Sequence, residues 1–334
     1  MKVGIIGCGS IARSHLKGYQ AYGAEIVAVA DSFYDSASKL AAEVDAKPLI
    51  DYRELLKMED IQAVSICTPP SFHEDIAIMA LEQGKHVICE KPMSRDVASA
   101  KRMRAAKKKT ECILMPAFRY RFIPAIQKMH ALIEEGVIGT PVLMNTLIGG
   151  PLFHMEDRWS TQKSVSGGGC LLDLAIFSVD LFRYLFGEVL DQNALSHQHF
   201  ETTDVEDVGV ITVKSKSGCL GVMQAGYVLG EQRDCIEIMG TKGSLYFSFR
   251  ASDAINLSTP DGQKKIEVTA SDGFVEEIKH FLDVVDGKEE LACSSKDGVR
   301  CLEIVCNTYP KAAVSLLRTT RSMTIAKNHL MNRR

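Results

Sequence analysis

Residues 1–31, MKVGIIGCGSIARSHLKGYQAYGAEIVAVAD, decide the fold of this chain. The short apolar run Val3–Ile6 is typical of a buried parallel strand, and the string GCGSIA that follows turns it into a helix. This string has the G-x-G-x-x-A spacing of a dinucleotide-binding turn. Gly7 permits a tight turn, Gly9 lets a pyrophosphate approach the backbone, and Ala12 lets the helix pack closely on the strand.

A second apolar run, Ile26–Ala30, ends in Asp31, about twenty residues beyond the glycines. A carboxylate at this place accepts hydrogen bonds from the hydroxyls of an adenosine ribose and repels a 2′-phosphate. The sequence therefore predicts NAD as the cofactor rather than NADP, although Ser32 is able to donate to a phosphate. Strand, helix, second strand and acid occur in the order that the motif requires, and this context carries the prediction.

The composition limits the classes of protein to which the chain can belong. Its 334 residues, 46% of them hydrophobic, are enough for two domains with separate cores. The net charge of −3 gives no general attraction for nucleic acid or an anionic membrane, and neither a signal peptide nor a bilayer-spanning apolar run is evident. Ten cysteines without zinc-type spacing favour reduced thiols and no metal site. We therefore expect a cytoplasmic protein without nucleic-acid or membrane partners.

Two different patterns divide the chain. Strands and helices alternate to about Pro116 and predict a doubly wound parallel sheet, an α/β Rossmann dinucleotide-binding domain over residues 1–120. Residues 121–334 are predicted to form an α+β domain for substrate binding and oligomerisation, with a large, mostly antiparallel open sheet. Its predicted strands are Pro141–Ile148, Val208–Lys214, Cys219–Tyr227, Cys235–Met239, Ser244–Phe249 and Ile266–Val268. Two helices, Val275–Val285 and Val299–Leu317, are predicted to finish the chain. One face of this sheet is expected to join subunits into a homodimer or homotetramer.

Two loops follow predicted strands at the carboxyl edge of the parallel sheet, where ligands of open α/β folds bind. The strand Ile61–Cys67 stops at Thr68-Pro69-Pro70, and His73 begins the next helix. The strand Val87–Cys89 leads into Glu90-Lys91-Pro92. Taken alone, His73 and Lys91 would be interpreted as surface residues.

Together these motifs resemble the glucose-fructose oxidoreductase, inositol dehydrogenase and rhizopine-catabolism (GFO/IDH/MocA) family of NAD(P)-dependent sugar and cyclitol oxidoreductases. The resemblance covers nearly the whole chain. It rests on GCGSIA from Gly7, CTPPSFH ending at His73, GKHVICEKPMS around Lys91, RFIPA at 121–125, EEGVIGTP at 134–141, SGGGCLLDLAIFSVD at 166–180 and IMGTKGSL at 238–245. It implies hydride transfer between the nicotinamide and a secondary alcohol or ketone of a sugar, a cyclitol or a derivative.

The resemblance also implies roles for particular residues. Lys91 matches the lysine of the family's Glu-Lys-Pro motif, beside the nicotinamide and the reacting carbon, where an ammonium stabilises negative charge on the alcohol oxygen or relays its proton. Asp173 matches the aspartate that positions substrate, as the second catalytic residue. The cofactor-binding set is Gly7, Gly9, Ser10, Ile11, Asp31, Thr68, Pro69, His73, Glu90 and Lys91.

The chain departs from the family pattern G-G-G-x-L-x-D-x-G-x-H-x-x-D, in which the histidine is the general acid or base. Ala175 replaces the glycine and Phe177 occupies the histidine position. Phenylalanine cannot transfer a proton, so the proton route stays open between Lys91, Asp173, a water, His154, Tyr120 and Tyr227. At the family's asparagine before Arg-Phe the chain has Arg119-Tyr120, which would pair with an anionic substrate group or form an ordinary surface ion pair. The expected substrate residues are Arg119, Tyr120, His154, Trp159 and Phe177.

Two other functions are compatible with the sequence. Sugar-responsive regulators of this fold bind the dinucleotide without turnover and do not need the missing histidine, but the intact Glu90-Lys91-Pro92 argues against that role. NAD-dependent glycosidases of the same family oxidise a sugar transiently and regenerate the cofactor at each turnover. We expect an NAD(P)-dependent dehydrogenase or reductase acting on CH–OH groups.

Overall fold

The structure is a computed structural model, and it describes residues 1–152, 158–250 and 253–309. Six short strands form a parallel sheet in the first part of the chain. They are β1 (Lys2–Ile6), β2 (Glu25–Ala30), β3 (Lys47–Leu49), β4 (Ala63–Ile66), β5 (His86–Cys89) and β6 (Leu114–Pro116). Their order across the sheet is β3-β2-β1-β4-β5-β6, and the reversal beside β1 opens the crevice in which doubly wound folds bind ligands. The predicted Rossmann architecture is confirmed.

Five helices connect these strands and cover both faces of the sheet. They are α1 (Ser10–Ala21), α2 (Tyr34–Ala42), α3 (Tyr52–Leu56), α4 (His73–Glu82) and α5 (Val97–Lys107). Because both faces are covered, the central strands are apolar along their length; every residue of β4 is buried.

After helix α6 (Pro124–Glu134), the chain builds a second, eight-stranded sheet. Its first strand is β7 (Pro141–Pro151), and the helices α7 (Lys163–Ser166) and α8 (Ile176–Phe186) follow it. The remaining strands are β8 (Val189–His197), β9 (Val208–Ser215), β10 (Leu220–Gly226), β11 (Val228–Gly240), β12 (Gly243–Ser248), β13 (Ala254–Thr259) and β14 (Gly262–Glu267). Neighbouring strands are antiparallel except for the parallel pair β7 and β10, so the predicted mostly antiparallel sheet is confirmed. Strands β8 and β13 were absent from the prediction.

The helices α9 (Phe274–Val285) and α10 (Ser295–Thr308) return to the first sheet. Helix α9 packs against α1, where a Cβ on Gly18 would stand 2.7 Å from Ile278. Helix α10 contacts both α5 and α8, and it begins four residues earlier than predicted because Ser294 and Asp297 form a capping box at its start. The predicted continuation to Leu317 lies beyond residue 309, outside the described residues.

The expectation that no segment is long and apolar enough to span a bilayer needs one correction. Among the described residues, the continuous helical segment Lys163–Phe186 meets that length and composition. Its apolar window is 78% buried inside the fold, as in the core helix of a globular domain. This segment carries Phe177 and Asp173, and Asp173 bonds to Lys91, which follows β5 of the parallel sheet.

Candidate active site

Two glycines shape the turn between β1 and α1 in different ways. Gly7 has a φ of +88°, and a Cβ there would stand 2.7 Å from the backbone of Cys67, so only glycine fits. Gly9 has an ordinary φ of −73°, and no atom lies within 4 Å of a Cβ built on it. The space in front of Gly9 is therefore open. Within the described residues no side chain caps the start of α1, which leaves the backbone N–H groups from Ser10 and Ile11 onward for an anion.

Asp31 connects this turn to the end of β2. Its Oδ2 accepts a hydrogen bond from the backbone N–H of Cys8 at 2.8 Å, and its Oδ1 accepts one from Phe33 at 2.9 Å. The side chain is partly exposed, so its remaining lone pairs can accept from a ribose hydroxyl. Asp31 therefore braces the turn, a role that the sequence motif did not predict.

Thr68 supplies an observation that bears directly on the cofactor. Its hydroxyl is buried, and among the described residues it has no hydrogen-bond partner. Leaving a buried hydroxyl unpaired is unfavourable, so this position fits the polar edge of a bound molecule. Thr68 also lies against Gly7, whose Cβ would stand 2.7 Å from the Thr68 nitrogen. The open Gly9, the uncapped α1 and the unpaired Thr68 hydroxyl together fit a dinucleotide.

His73 is placed behind this loop rather than in the crevice. It is fully buried, with Nε2 2.7 Å from the Thr68 carbonyl oxygen and Nδ1 3.1 Å from that of Pro92. Burial lowers the pKa of His73 below its ordinary value, although both carbonyl contacts act the other way. The side chain joins the Thr68–Pro69 loop to the Lys91–Pro92 loop, so its part in the predicted cofactor-binding set is to hold those loops together.

Glu90 fixes the backbone that carries Lys91. Its Oε2 accepts from the Lys91 backbone N–H at 3.0 Å, and its Oε1 lies 3.1 Å from Nε2 of buried His15. The other ring nitrogen of His15 is 2.9 Å from the Ser65 hydroxyl. Burial acts to raise the pKa of Glu90, but His15 and the charge of Lys91 outweigh it and the pKa lies below its usual value. His15 is a contributor that the sequence motifs did not identify.

Lys91, Asp173 and Tyr227 meet at the centre of the site. The Lys91 Nζ donates to Asp173 Oδ1 at 2.6 Å and to the Asp173 carbonyl at 2.9 Å, while the Tyr227 hydroxyl donates to Asp173 Oδ2 at 2.8 Å. The Lys91 and Asp173 side chains remain 15% and 28% exposed, so the pair is open to a ligand.

The charge state of this group follows from its contacts. Burial acts to raise the pKa of Asp173, but Lys91 and Tyr227 together bring it below the ordinary value. Burial and the Asp173 charge raise the pKa of Tyr227 well above 10. Asp173 is therefore an anion that accepts from two donors, and Tyr227 stays protonated.

Phe177, at the histidine position of the family pattern, also contacts Lys91. The Lys91 Nζ lies 4.7 Å from the ring centre of Phe177, and that ring stacks on Tyr120 at 4.5 Å. Tyr120 stacks in turn on Phe249 at 4.4 Å. Arg119 lies over the same rings, with its guanidinium carbon 4.6 Å from Tyr120 and 5.7 Å from Phe177. The substituted position is thus part of an aromatic wall.

A carboxylate outside the predicted set anchors the glycine-rich loop. Glu206 accepts from the backbone N–H groups of Gly169 and Leu171, each at 3.0 Å, and from the Tyr309 hydroxyl at 2.6 Å. These bonds hold the start of the π-helical turn Leu171–Ala175, which carries Asp173. Sequence reasoning missed Glu206 because it lies in a loop, between β8 and β9, that shows no motif.

The remaining predicted substrate residues divide into two groups. Trp159 is 44% exposed and lines a small cavity with Pro70, Pro92 and Asp173. His154 lies outside the described residues. In the part of the chain that the structure describes, no group of three or more His, Cys, Asp or Glu side chains is arranged to hold a metal ion.

Comparisons with known proteins agree with this arrangement. Residues 1–118 match the NAD-binding Rossmann-fold domain of the GFO/IDH/MocA oxidoreductases, and residues 126–246 match the C-terminal domain of the same family. The levoglucosan dehydrogenase of Pseudarthrobacter phenanthrenivorans is 29% identical over 307 residues, covering 79% of this chain and 77% of that protein. The myo-inositol 2-dehydrogenase of Thermotoga maritima is 27% identical over 321 residues, covering 90% and 93%. A solved structure of levoglucosan dehydrogenase in complex with NADH has a TM-score of 0.86 at 26% identity, covering 92% of this chain and 95% of that one.

Proposed function

The chain belongs to the GFO/IDH/MocA family of NAD-binding oxidoreductases, and from that premise we propose that it interconverts a secondary alcohol and a ketone on a sugar, a cyclitol or a derivative, with Lys91 as the proton-transfer residue. The chain is an NAD-dependent oxidoreductase by family. Its relatives include dehydrogenases named for levoglucosan and myo-inositol, and these names support a substrate rich in secondary hydroxyl groups.

The main support for the proposal is the set of hydrogen bonds that the Lys91 ammonium donates. An ammonium has three N–H donors, and Lys91 uses two of them on Asp173. Among the described residues, no acceptor takes the third donor, which would then bind a substrate oxygen in the crevice. When bound, the nicotinamide exchanges a hydride with the reacting carbon, which leaves negative charge on that oxygen during reduction. An ammonium already held in place by Asp173 stabilises this charge without having to reorient during the reaction.

The same contacts allow Lys91 to transfer the substrate's hydroxyl proton during both reduction and oxidation. During reduction, Lys91 gives its third N–H proton to the forming alkoxide and becomes a neutral amine. During oxidation, Lys91 first releases a proton to solvent; the neutral amine then accepts the hydroxyl proton, and the adjacent Asp173 carboxylate stabilises the ammonium that results. Tyr227 holds Asp173 in place. No histidine is needed at position 177 for this sequence of steps.

Three further features belong to this proposal. The Asp31 carboxylate favours NAD over NADP, because it would repel a 2′-phosphate. A cytoplasmic location agrees with the ten free cysteines. A homodimer or homotetramer through the second sheet would cover apolar side chains that one of its faces exposes, such as Leu195 and Leu220.

The test is NADH formation by the purified protein with NAD and a panel of sugars, cyclitols and sugar acids, beside the Lys91→Met variant. Because Lys91 would supply both proton transfer and charge stabilisation, we expect kcat to fall by roughly 100-fold or more in the variant, with NAD affinity within a few-fold of the wild type. Lys109→Met makes the same substitution at an exposed lysine two residues after the end of α5 and serves as the matched control.

The result also separates the alternatives. Equal turnover by Lys91→Met and wild type would refute the catalytic role of Lys91. NAD binding without turnover on any substrate would favour the regulator, whereas release of a leaving group from a glycoside without net NADH formation would favour the glycosidase.

A further inference from the structure

We propose that the substrate carries a carboxylate and that Arg119 binds it. This inference rests on the dehydrogenase function proposed above and names the substrate class for the same site. The two positions at which the chain departs from the family pattern, Arg119 and Phe177, lie against each other, with the guanidinium carbon 5.7 Å from the Phe177 ring centre. Lys91 contacts that same ring at 4.7 Å. The Phe177 ring thus contacts both Lys91, to which we assign proton transfer, and the cationic side chain of Arg119.

Aromatic rings contact the faces of the Arg119 guanidinium, and no carboxylate of the described residues pairs with it. Its carbon lies 4.6 Å from the ring centres of both Tyr120 and Phe274. Its one hydrogen bond among the described residues goes to the main-chain oxygen of Asp272. Aromatic faces orient a guanidinium without using its N–H donors, so among the described residues the donors that do not bond to Asp272 remain for hydrogen bonding. Arg119 is partly exposed, so these donors are accessible to a ligand.

The nearby acidic groups of the described residues leave this charge uncompensated. None of their carboxylates lies within ion-pair distance of Arg119. Glu277 is close enough to act on it electrostatically, but its side chain is completely buried, and burial keeps its pKa well above the ordinary value. Asp234, near Tyr120, lies within 3.8 Å of Arg250. A cation that has no counterion among the described residues, and that lies beside Lys91 and Phe177, fits an anionic substrate group.

A carboxylate fits this cation better than a phosphate does. A guanidinium can bind either group through two parallel N–H donors, but its single positive charge balances the single negative charge of a carboxylate and not the nearly two charges of a phosphate ester. Lys91 and Arg119 share contact with one ring, so the carboxylate would lie a few carbon atoms from the reacting carbinol. A uronic acid or an aldonic acid has this arrangement.

The decisive measurement compares each acid with its neutral parent. We expect kcat/KM for D-glucuronate to exceed that for D-glucose, mainly through a lower KM. In Arg119→Met, the acid-to-neutral ratio of kcat/KM should fall by roughly 10- to 100-fold, as expected for the loss of a charge-assisted hydrogen-bonded pair. Arg119→Lys keeps the positive charge but loses the planar pair of N–H donors, so it should retain part of the acid-to-neutral ratio of kcat/KM. The exposed Arg53 provides the matched control, Arg53→Met.

A binding experiment separates this proposal from the proposed reaction. We would titrate D-glucuronate, D-gluconate and D-glucose 6-phosphate into Lys91→Met in the presence of NADH, with and without Arg119→Met. Carboxylate binding that depends on Arg119 supports the proposal, even if Lys91 proves dispensable for turnover. Failure of both acids to bind, binding unaffected by Arg119→Met, or tighter binding of the phosphate ester would overturn it.

Discussion

The Nζ atom of Lys91 lies 4.7 Å from the ring centre of Phe177, so the residue at the family's histidine position contacts the lysine of the Glu-Lys-Pro motif directly. The ring cannot exchange a proton, but it can hold the ammonium by a cation–π contact and keep water away from it. The phenylalanine that stands in place of the histidine therefore helps to hold the Lys91 ammonium in position.

The first prediction concerns Phe177. If Lys91 already transfers the proton, Phe177→His should leave kcat within about threefold of the wild type, because a second base adds little. Phe177→Leu removes the ring contact and should lower kcat by up to about tenfold. Initial rates with Phe200→Leu, at an exposed phenylalanine, provide the control. A gain above tenfold in Phe177→His would show that the wild-type cleft lacks a proton acceptor and would contradict the assignment of Lys91.

The second prediction concerns Tyr227, whose hydroxyl donates to Asp173 at 2.8 Å. Tyr227→Phe removes this donor, and the pKa of Asp173 should rise, because the hydrogen bond from Tyr227 helps to lower it. The acid limb of the kcat profile should then move to higher pH, and kcat at neutral pH should fall by about tenfold. Tyr22→Phe, at an exposed tyrosine, is the control. An unshifted acid limb would mean that Tyr227 does not act through Asp173.

The third prediction separates the two glycines of the first turn. Gly9→Ala meets no neighbouring atom, so the Tm should change little while NAD affinity falls by roughly tenfold or more, since the methyl group occupies the space of the pyrophosphate. Gly7→Ala should instead lower the Tm, because its Cβ would collide with the backbone of Cys67 at a φ of +88°. Thermal unfolding and calorimetry with NAD check both variants. Equal NAD binding by Gly9→Ala and wild type would refute the pyrophosphate assignment.

The fourth prediction concerns cofactor choice. Asp31→Asn removes the negative charge and keeps an oxygen acceptor for only one of the two bracing hydrogen bonds. Loss of the bracing bond should weaken both cofactors alike, whereas loss of the charge should lower the NAD-to-NADP affinity ratio by about tenfold. Asp35→Asn, at an exposed position on α2, is the matched control. Dissociation constants for both cofactors measure the ratio. An equal loss of affinity for NAD and NADP would show that Asp31 acts only as a brace.

The fifth prediction concerns Glu277, a completely buried carboxyl whose two oxygens have no hydrogen-bond partner among the described residues. Burial, with a further contribution from the charge of Glu90, raises its pKa in the folded protein well above 4.5. A raised pKa contributes stability below the unfolded pKa, and this stability is lost as the pH rises toward the folded pKa.

Glu277→Gln removes this titration. The variant should match the wild type near pH 4 and exceed it at pH 7, with the difference in unfolding free energy growing by up to about 1.4 kcal/mol per pH unit in between. Urea unfolding across this range measures the difference, with Glu82→Gln at an exposed site as control. A difference that does not change with pH would mean that Glu277 is ionised in the folded protein.

Local patterns account for the parts of the fold that were predicted. The apolar strands, the glycine turn and the acid after β2 depend on residues close together in the chain, so their spacing is visible in the sequence. Strands β8 and β13 escaped prediction for a physical reason. Most of β8 is exposed, and β13 has only one fully buried residue, so neither shows the alternation that burial of one face imposes.

By itself, the sequence determined the dinucleotide turn, the order of elements and the presence of Lys91 and Asp173, because these follow from local spacing and residue chemistry. The tertiary structure alone decided that Tyr227 bonds to Asp173, that His15 bonds to Glu90 and that Glu206 holds the glycine loop. These partners lie tens of residues apart in the chain. Hydrogen bonds depend on distances of about 3 Å, and only the packing of distant elements sets those distances.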